Sequence, residues 1–350
     1  MPFSSKWRFL LLPLALLYEA LVRLRVFLYQ KNLLTSWQPE VPVISVGNLS
    51  VGGAGKTPVV DYLLETLTHS KIKPVVLSRG YKRESTSEYE RLRWDEGLPS
   101  SPGMIGDEPF LLATRHPEVA VYAGKNRVEL SQIAVNRDHP DLLILDDGYQ
   151  HLRLKRTLNL LLIDAERGLD NEWVIPMGPL REPVDHWKRA DAIIVTKSNL
   201  GFADRLLHVL TKKHGITCPV FKFEYRIKNL HKLSGETLSM DKLNGKKIMV
   251  LSGVAQPQGV SRSLELWNCK VVQHDIFPDH HHYTFEDLAR LQADYHRIHP
   301  DYWITTEKDA VKLRAYQTLH DKLWIMEMAV FADKSWEEFF VDFLKKCKLQ

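Results

Sequence analysis

The stretch Ser50-Val51-Gly52-Gly53-Ala54-Gly55-Lys56-Thr57 decides the fold of this chain. It follows a short apolar run, Val41 to Val46, and precedes an amphipathic segment, Val59 to Leu67. Glycine adopts positive φ without strain, so this loop can turn its N–H groups inward around an anion. The N-terminus of the following helix strengthens such a site. The order strand, glycine loop and helix therefore predicts a phosphate-binding loop.

Every residue of this loop, from Ser50 to Thr57, is a candidate nucleotide-binding residue. The side chain of Lys56 supplies a positive charge for the β- and γ-phosphates, and the Thr57 hydroxyl is the expected Mg²⁺ ligand. The loop departs from the Walker A pattern G-x-x-x-x-G-K-[ST] at Ser50, where the pattern has glycine. A glycine-rich turn with a solvated lysine is the alternative interpretation.

The composition is that of a soluble globular protein. The chain has 350 residues, of which 26% are charged and 44% hydrophobic, enough for one large domain or two ordinary ones. The formal net charge of +4 is small for this length and gives no reason to expect nucleic acid as a partner. The cysteines, Cys218, Cys269 and Cys347, lie far apart without a C-x-x-C pair, which favours reduced thiols over disulfides or a zinc site.

Residues 1–36 form a region of their own. The segment Phe9 to Tyr18 is almost wholly apolar, but Glu19, Arg23 and Arg25 end the run before it reaches the ~20 residues of a bilayer span. No small-x-small cleavage site follows, so we expect no cleaved signal peptide. We predict a helix that lies in the membrane interface with its basic residues toward anionic headgroups. These residues are Lys6, Arg8, Arg23, Arg25 and Lys31. A helix docked on the protein's own core is the alternative.

Apolar runs alternate with helical segments from residue 41 onward. Because their apolarity is continuous, we expect strands that are buried on both faces in a mostly parallel sheet with helices on each side. The predicted fold is α/β and P-loop NTPase-like, with a smaller second α/β domain. The predicted strands of the first domain are Val41 to Val46, Pro74 to Leu77, Val119 to Tyr122, Leu142 to Leu145, Leu158 to Ile163 and Ala192 to Thr196.

The composition and residue pattern change after residue 222, and this change defines the expected domain boundaries. The P-loop core is expected over residues 37–222 and an extended linker over 223–246, where the sequence is charged and less regular. A second series of strands and helices begins at Lys247 and defines a smaller domain over 247–330. Residues 331–350 read as a final helix, Ser335 to Lys346, that could return to the core.

Two carboxylates follow the strand Leu142 to Leu145. The adjacent Asp146 and Asp147 have the form of a Walker B element, in which an aspartate holds Mg²⁺ directly or through water. An Asp-Asp-Gly turn is common after a strand, so the glycine loop is what gives this pair its meaning. Asp146 and Asp147 are therefore candidate metal ligands together with Thr57.

A second acidic pair opens a helix at Gly106-Asp107-Glu108-Pro109. The helix dipole favours the charged state of both carboxylates. A plain helix cap with first-turn acids explains the pair equally well. Beside a metal-bound phosphate, however, such a carboxylate would be a suitable acceptor for a substrate hydroxyl proton.

Three histidines follow Asp279, at positions 280 to 282, after the strand Val271 to Ile276. Adjacent histidines in a short turn point in different directions, which argues against a metal site. A histidine that orients a carboxylate or shuttles a proton fits better, and surface histidines without a role remain an alternative.

Basic residues cluster after two of the predicted strands, where they would share the rim of the glycine loop. The first cluster is Arg79, Lys82 and Arg83, and the second is Lys125 and Arg127. Such runs are usually solvated, but arginines at this rim could instead hold a second anionic group of a substrate.

Taken together, these motifs resemble the tetraacyldisaccharide 4'-kinase family, the lipid A 4'-kinases of Gram-negative bacteria. The resemblance covers about residues 41 to 315. The motifs that carry it are Gly47 to Pro58, Ser78 to Tyr81, Gly106 to Pro109, Asp146 to His151, Gly178 to Glu182, Phe277 to His281 and Thr306 to Ala310. The family loop also has a hydroxyl residue at the position of Ser50.

The resemblance implies transfer of the ATP γ-phosphate, with Mg²⁺, to the 4'-hydroxyl of an acylated glucosamine disaccharide 1-phosphate. It implies a peripheral or monotopic enzyme at the cytoplasmic face of the inner membrane, with no obligate protein partner. It also implies Asp107 as the base, supported by His280 or His281, with Lys56 as a further catalytic residue. Family positions for phosphate and metal handling are matched by Lys56, Thr57, Arg127, Asp146 and Asp147. The candidate substrate-binding residues are Arg79, Glu108, Arg127 and His151.

The third histidine, His282, leaves the assignment of the functional imidazole open. A P-loop ATPase or GTPase switch, or a chaperone at the membrane, is the rival function. Such a protein would use water as its nucleophile and would need no small phosphoryl acceptor. A membrane-recruited protein that binds ATP without turnover is a third interpretation.

Overall fold

A computed structural model of the protein describes residues 9–80, 83–97, 102–279, 281–314 and 316–349. The apolar runs of the sequence form strands because runs buried on both faces suit a sheet covered by helices. The strands are β1 Val43–Asn48, β2 Pro74–Ser78, β3 Tyr89–Leu92, β4 Ala120–Gly124, β5 Leu142–Asp146, β6 Leu158–Asp164, β7 Ala192–Thr196, β8 Val220–His231, β9 Thr237–Leu238, β10 Lys247–Ser252, β11 Lys270–Ile276, β12 Tyr302–Thr306 and β13 Leu323–Ala332.

Helices cover both faces of this sheet. They are α1 Leu12–Gln30, α2 Lys56–His69, α3 Asp107–Arg115, α4 Arg127–Asp138, α5 Ala203–His208, α6 Pro257–Glu265, α7 Phe285–Ile298, α8 Glu307–Leu313 and α9 Lys334–Lys346. On one face of the first half of the sheet, α2 and α9 share a core that includes Leu63, Trp336 and Phe340. The C-terminal helix therefore packs against the part of the chain that carries the glycine loop.

The described strands form one continuous sheet in the order β11-β10-β12-β13-β8-β7-β6-β1-β5-β2-β4-β3, with β9 beside β8. Most neighbouring strands are parallel. The antiparallel pairs among the described strands are β8 with β13, β8 with β9, and β3 with β4. The expectation of a mostly parallel α/β fold of the P-loop kind is confirmed.

The stretch after residue 222, expected as a linker, contributes a long strand to this sheet. The first residues of β8 pair in parallel with β7, and residues 223–231 pair antiparallel with β13. Its side chains alternate between buried and more exposed positions, because one face of the strand packs on the core. Strand β8 therefore joins the two halves of the sheet directly, without a flexible connection.

Helix α1 has two different faces. Ala15 and Val26 are buried against the core, while four leucines at spacings of three and four residues point outward. These leucines are Leu14, Leu17, Leu21 and Leu24, and each is more than half exposed. Among the described residues, no helix combines the length and the hydropathy needed to cross a bilayer.

Candidate active site

The glycine loop lies between β1 and α2, at the carboxyl edge of the sheet. Gly55 has a φ of 75°, which is costly for any residue with a side chain. A Cβ at this position would also collide with the hydroxyl of Tyr225, which donates a 2.6 Å hydrogen bond to the Gly55 carbonyl. The Thr196 hydroxyl donates a 3.0 Å bond to the Ala54 carbonyl. Strands β7 and β8 thus fix the end of the loop where α2 begins.

Lys56, the first residue of α2, lies in a cluster of charged and polar groups. Its Nζ is 3.3 Å from Oδ1 of Asn48 and 3.6 Å from Oδ1 of Asp147. The guanidinium of Arg181 donates bonds of 2.9 Å and 3.0 Å to the same carboxylate. Burial opposes ionisation of Asp147, but Lys56 and Arg181 hold the pKa of this carboxyl below its usual range. The ionised Asp147 therefore holds the ammonium group of Lys56 in position beside the glycine loop.

Asp146 has the properties of a metal ligand. It ends β5 beside Val46 of β1, and its Oδ2 accepts a 3.2 Å bond from the Ser78 hydroxyl. Its Oδ1 is buried and has no hydrogen-bond donor in the described part of the chain. Burial, with the nearby charges of Glu108 and Asp147, raises the pKa of Asp146 to about 7. A cation would satisfy this oxygen and favour the charged form.

The side chains around Asp146 fit Mg²⁺ better than a metal held by protein alone. Thr57 and Asp147 line the same cleft, so a hydroxyl and two carboxylates are available. No group of three or more His, Cys, Asp and Glu side chains suited to a metal occurs in the described ranges. Mg²⁺ typically takes one or two carboxylates and completes its shell with water and substrate phosphates.

Asp107 and Glu108 begin α3 after Gly106, which has a φ of 103°. Oδ2 of Asp107 lies 3.2 Å from Nζ of Lys312 in α8. Oε1 of Glu108 lies 3.5 Å from Nζ of Lys308, one helical turn earlier in α8. The acidic start of α3 is thus in contact with a basic face from the other half of the sheet, which is more than a plain helix cap requires.

One cleft of about 560 Å³ brings most of the candidate residues together. Its walls come from the glycine loop, the ends of β2 and β5, and the starts of α3 and α8. The candidate residues in its lining are Val51, Gly52, Gly53, Gly55, Lys56, Thr57, Arg79, Asp107, Glu108, Asp146 and Asp147. The glycine loop and the candidate base Asp107 therefore face the same space.

Several candidates lie outside the lining of this cleft. Ser50 bridges to Leu180, and Ala54 is buried. The imidazole of His281 lies 2.9 Å from the carboxylate of Asp287, at the start of α7. His280 falls outside the described residues.

Arg127 and His151 are also absent from the lining of this cleft. Arg127 is 8% exposed, and its pKa is lowered by burial. Burial and the positive charges of several arginines, with Arg127 first, lower the pKa of His151 to about 3. Nε2 of His151 is buried and has no hydrogen-bond partner within the described ranges. His151 therefore lies in its neutral form within a cluster of positive charges.

The structure adds site residues to which the sequence had assigned no role. Asn48 and Arg181 contact Lys56 or its carboxylate partner, and Lys308 and Lys312 contact the acidic start of α3. Arg181 and Lys308 stand within motifs already noted in the sequence, Gly178 to Glu182 and Thr306 to Ala310. Their positions depend on contacts between distant segments, so no local pattern indicated their partners.

Comparison with known proteins places this arrangement in a family. The family model described as Tetraacyldisaccharide-1-P 4'-kinase matches residues 7–345. A tetraacyldisaccharide 4'-kinase of Bdellovibrio bacteriovorus is 36% identical over 321 residues, covering 91% of this chain and 93% of that protein. The corresponding protein of Pelobacter propionicus is 36% identical over 309 residues, covering 88% of this chain and 84% of that protein.

A solved structure agrees with the sequence comparison. The crystal structure of LpxK from Aquifex aeolicus in complex with ATP matches with a TM-score of 0.77 and 32% identity. The match covers 97% of this chain and 99% of that chain. By motif, by overall sequence and by fold, this chain belongs to the tetraacyldisaccharide-1-P 4'-kinase family.

Proposed function

We propose that this protein transfers the γ-phosphate of ATP to the 4'-hydroxyl of an acylated glucosamine disaccharide 1-phosphate, a step of lipid A synthesis. The observation that carries the proposal is that Lys56 and Asp107 line one cleft. A triphosphate held by the loop would place its γ-phosphate in the same space as the carboxylate. Membership of a family of 4'-kinases supports this choice of acceptor.

The proposed reaction is an in-line displacement. The carboxylate of Asp107 accepts the proton of the sugar hydroxyl as the hydroxyl oxygen attacks the γ-phosphorus, and ADP leaves from the opposite side. Lys56 and the loop N–H groups hold the oxygens on which negative charge collects. Because the transition state needs little covalent assistance, positioning and charge stabilisation supply most of the rate.

Mg²⁺ is the expected metal, held by Asp146 or Asp147 and by the Thr57 hydroxyl. When bound, it would neutralise charge on the β- and γ-phosphates. The buried Oδ1 of Asp146, which has no donor in the described part of the chain, supports this assignment. The chain's own role is to keep these oxygens in place beside Lys56.

The acceptor carries its own phosphate, for which Arg79 in the lining of the cleft and the buried Arg127 are suited. We propose that Arg79 and Arg127 bind anionic groups of the substrates and that Glu108 binds sugar hydroxyls of the acceptor. His151 lies among positive charges that include Arg127 and Arg25 of α1. An anion bound there would reduce the repulsion among these cations.

The test is the product formed from labelled ATP and a panel of acceptors. We expect label on the 4'-oxygen of the acylated disaccharide 1-phosphate, and none on a disaccharide whose 4'-hydroxyl is blocked. ATP hydrolysis at the same rate without any acceptor would contradict the proposal and favour the switch or chaperone. The absence of all turnover would favour a protein that only binds ATP.

We further propose that α1 holds the enzyme on the cytoplasmic face of the inner membrane. Its exposed leucines form one apolar stripe, and the opposite face is fixed to the core. The guanidinium of Arg23 donates bonds of 2.7 Å and 2.9 Å to Asp185, and the Tyr18 hydroxyl donates a 2.8 Å bond to the Arg181 carbonyl. Since Arg181 contacts Asp147, a lipid acceptor at this surface would lie close to the cleft.

Charge substitutions test the anchor better than deletion of residues 1–36, because deletion would also expose the core beneath Ala15. Leu17→Glu combined with Leu21→Glu should abolish flotation with vesicles that contain anionic lipid, while ATP binding stays normal. Leu266→Glu, at a leucine in the second half that is 67% exposed, is the matched control and should float like the wild type. Equal flotation of all three proteins would contradict the anchor.

A further inference from the structure

Helices α3 and α8 meet across the cleft through an ionic contact that joins the two halves of the sheet. Helix α3 lies in the half that contains the glycine loop, and α8 follows β12 in the other half. Lys308 and Lys312 are four residues apart and so lie on one face of α8. Nζ of Lys308 is 2.9 Å from Asp279 and 3.5 Å from Glu108, while Nζ of Lys312 is 3.2 Å from Asp107.

Lys312 is a costly residue at its position. Its side chain is 9% exposed, and its buried ammonium group lies against the carboxylate of Asp107, 3.2 Å away. The neighbouring Val311 and Leu313 are buried apolar side chains. Removing an ammonium group from water is unfavourable, and an apolar residue would usually be the more stable choice at such a site. The charge of Lys312 therefore calls for an explanation other than packing.

The surroundings of Asp107 provide that explanation. The Asp107 carboxylate, with 14% of its side chain exposed, has lost most of its contact with water, so a neighbouring charge acts on it strongly. Bound ATP would add further negative charge to the same cleft. The other charged side chains that line the cleft are Lys56 and Asp61 of α2, Arg79, Asp146 and Asp147 at strand ends, Glu108 and Arg115 of α3, Arg181, Lys197, Asp279, and Glu307 and Lys308 of α8. Carboxylates and cations are balanced along this lining, so a base there depends on the charges nearest to it, and the ammonium of Lys312 lies 3.2 Å from the Asp107 carboxylate.

We propose that Lys312 is a positioning residue, which holds the Asp107 carboxylate, in its charged form, on the wall of the cleft that the acceptor hydroxyl approaches. The inference rests on the proposed role of Asp107 as the base. It adds that the base and the cation that maintains it come from different halves of the sheet. The base is thus ready for proton transfer only while α8 lies against α3.

The test compares Lys312→Met, which removes the charge at similar length, with Lys312→Arg, which keeps it. Lys312→Met should lower kcat at neutral pH about tenfold, with the KM for ATP changed by less than about twofold. The acid limb of the kcat/KM profile should move to higher pH by about one unit, because a cation within ~4–6 Å lowers a carboxyl pKa by one to three units. In Lys312→Arg, kcat and the position of the acid limb should both stay close to those of the wild type.

Controls separate this role from a structural one. Lys270→Met, at an exposed lysine of β11, should leave the profile unchanged. In the Asp107→Asn background, Lys312→Met should lower kcat little further, because the effects of substituting two residues that act together are not additive. If Lys312→Met folds poorly, Lys312→Gln provides the same comparison, because it also lacks the charge.

An unchanged acid limb in the neutral variant would overturn the proposal. Loss of activity that Lys312→Arg does not restore, accompanied by a lower Tm, would also overturn it and would show that Lys312 serves folding. Failure of the proposed function looks different, because the wild type would then not phosphorylate the acceptor, or Asp107→Asn would retain full turnover.

Discussion

At the scale of single residues, the site depends on charges that hold one another in place. Asp147 stays ionised because Lys56 and Arg181 flank it, and in return it fixes the ammonium of Lys56 at the glycine loop. The sequence was sufficient to propose Lys56, Thr57 and Asp146 as parts of one site. It did not indicate Arg181 as the partner of Asp147, because the residues between them form β6 and a long irregular segment.

Replacing Lys56 by alanine should weaken both nucleotide binding and turnover. The β- and γ-phosphates lose their point charge, and Asp147 loses one of its two cations. We expect kcat/KM for ATP to fall by about 10²-fold or more, as for other groups that stabilise a transition state by charge. Steady-state kinetics and calorimetric ATP titration measure the two effects. Lys155→Ala, at an exposed lysine, is the control. If ATP affinity and turnover were those of the wild type in both variants, Lys56 would have no role in the site.

His151 should make the folded protein sensitive to acid. Its pKa falls from 6.5 to about 3 on folding, chiefly through burial. Below pH 6.5 the unfolded chain binds a proton at His151 that the folded chain does not bind. The free energy of unfolding is therefore unaffected by His151 above pH 6.5 and decreases as the pH falls from 6.5 toward 3. Near pH 5 the loss should be on the order of 1–2 kcal/mol.

His151→Gln should remove this part of the pH dependence. Urea unfolding at about pH 7.5 and about pH 5 measures it, with His208→Gln at an exposed histidine as the control. The free energy of unfolding of His151→Gln should fall less between the two conditions than that of the wild type. An equal decrease in the free energy of unfolding between the two pH values in all three proteins would mean that His151 is not buried in its neutral form.

At the scale of elements, the strand ends create the site. Continuous apolar runs predicted β2, β5, β6 and β7 to within a residue or so at their ends, because burial on both faces leaves a clear signal. The strand β8 was read as a linker, because its charged residues alternate with buried ones and so break the apolar run. Its pairing with β13 involves residues about a hundred positions away, which no local pattern contains.

The turn from β1 into α2 should tolerate no side chain at Gly55. Gly55→Ala combines a positive φ with a collision against Tyr225, so ATP affinity should fall at least about tenfold. Adding Tyr225→Phe removes the hydroxyl that the new Cβ would meet and should recover only part of the affinity, because the backbone strain remains. Calorimetric titration with ATP measures each step. Wild-type affinity in Gly55→Ala would show that the loop does not hold the triphosphate.

At the scale of the whole molecule, one sheet carries both sides of the cleft. Arg115 of α3 donates a 2.9 Å bond to Glu307 of α8 and also pairs with Asp61 of α2. Arg262 of α6 donates a 2.8 Å bond to Glu166, which lies beyond β6. The sequence indicated two regions with a cleft, but these side-chain contacts between them could not be read from it. They bring the second half of the sheet against the glycine loop.

The central claim is that a triphosphate held by Lys56 and a hydroxyl received by Asp107 meet in this cleft. Asp107→Asn keeps the size of the side chain and removes the base. The most direct measurement is kcat for transfer of labelled phosphate to the acylated disaccharide 1-phosphate, together with ATP affinity, in this variant and the wild type. The account predicts a fall in kcat of about 10²-fold or more with ATP affinity nearly unchanged. Turnover close to that of the wild type would contradict it.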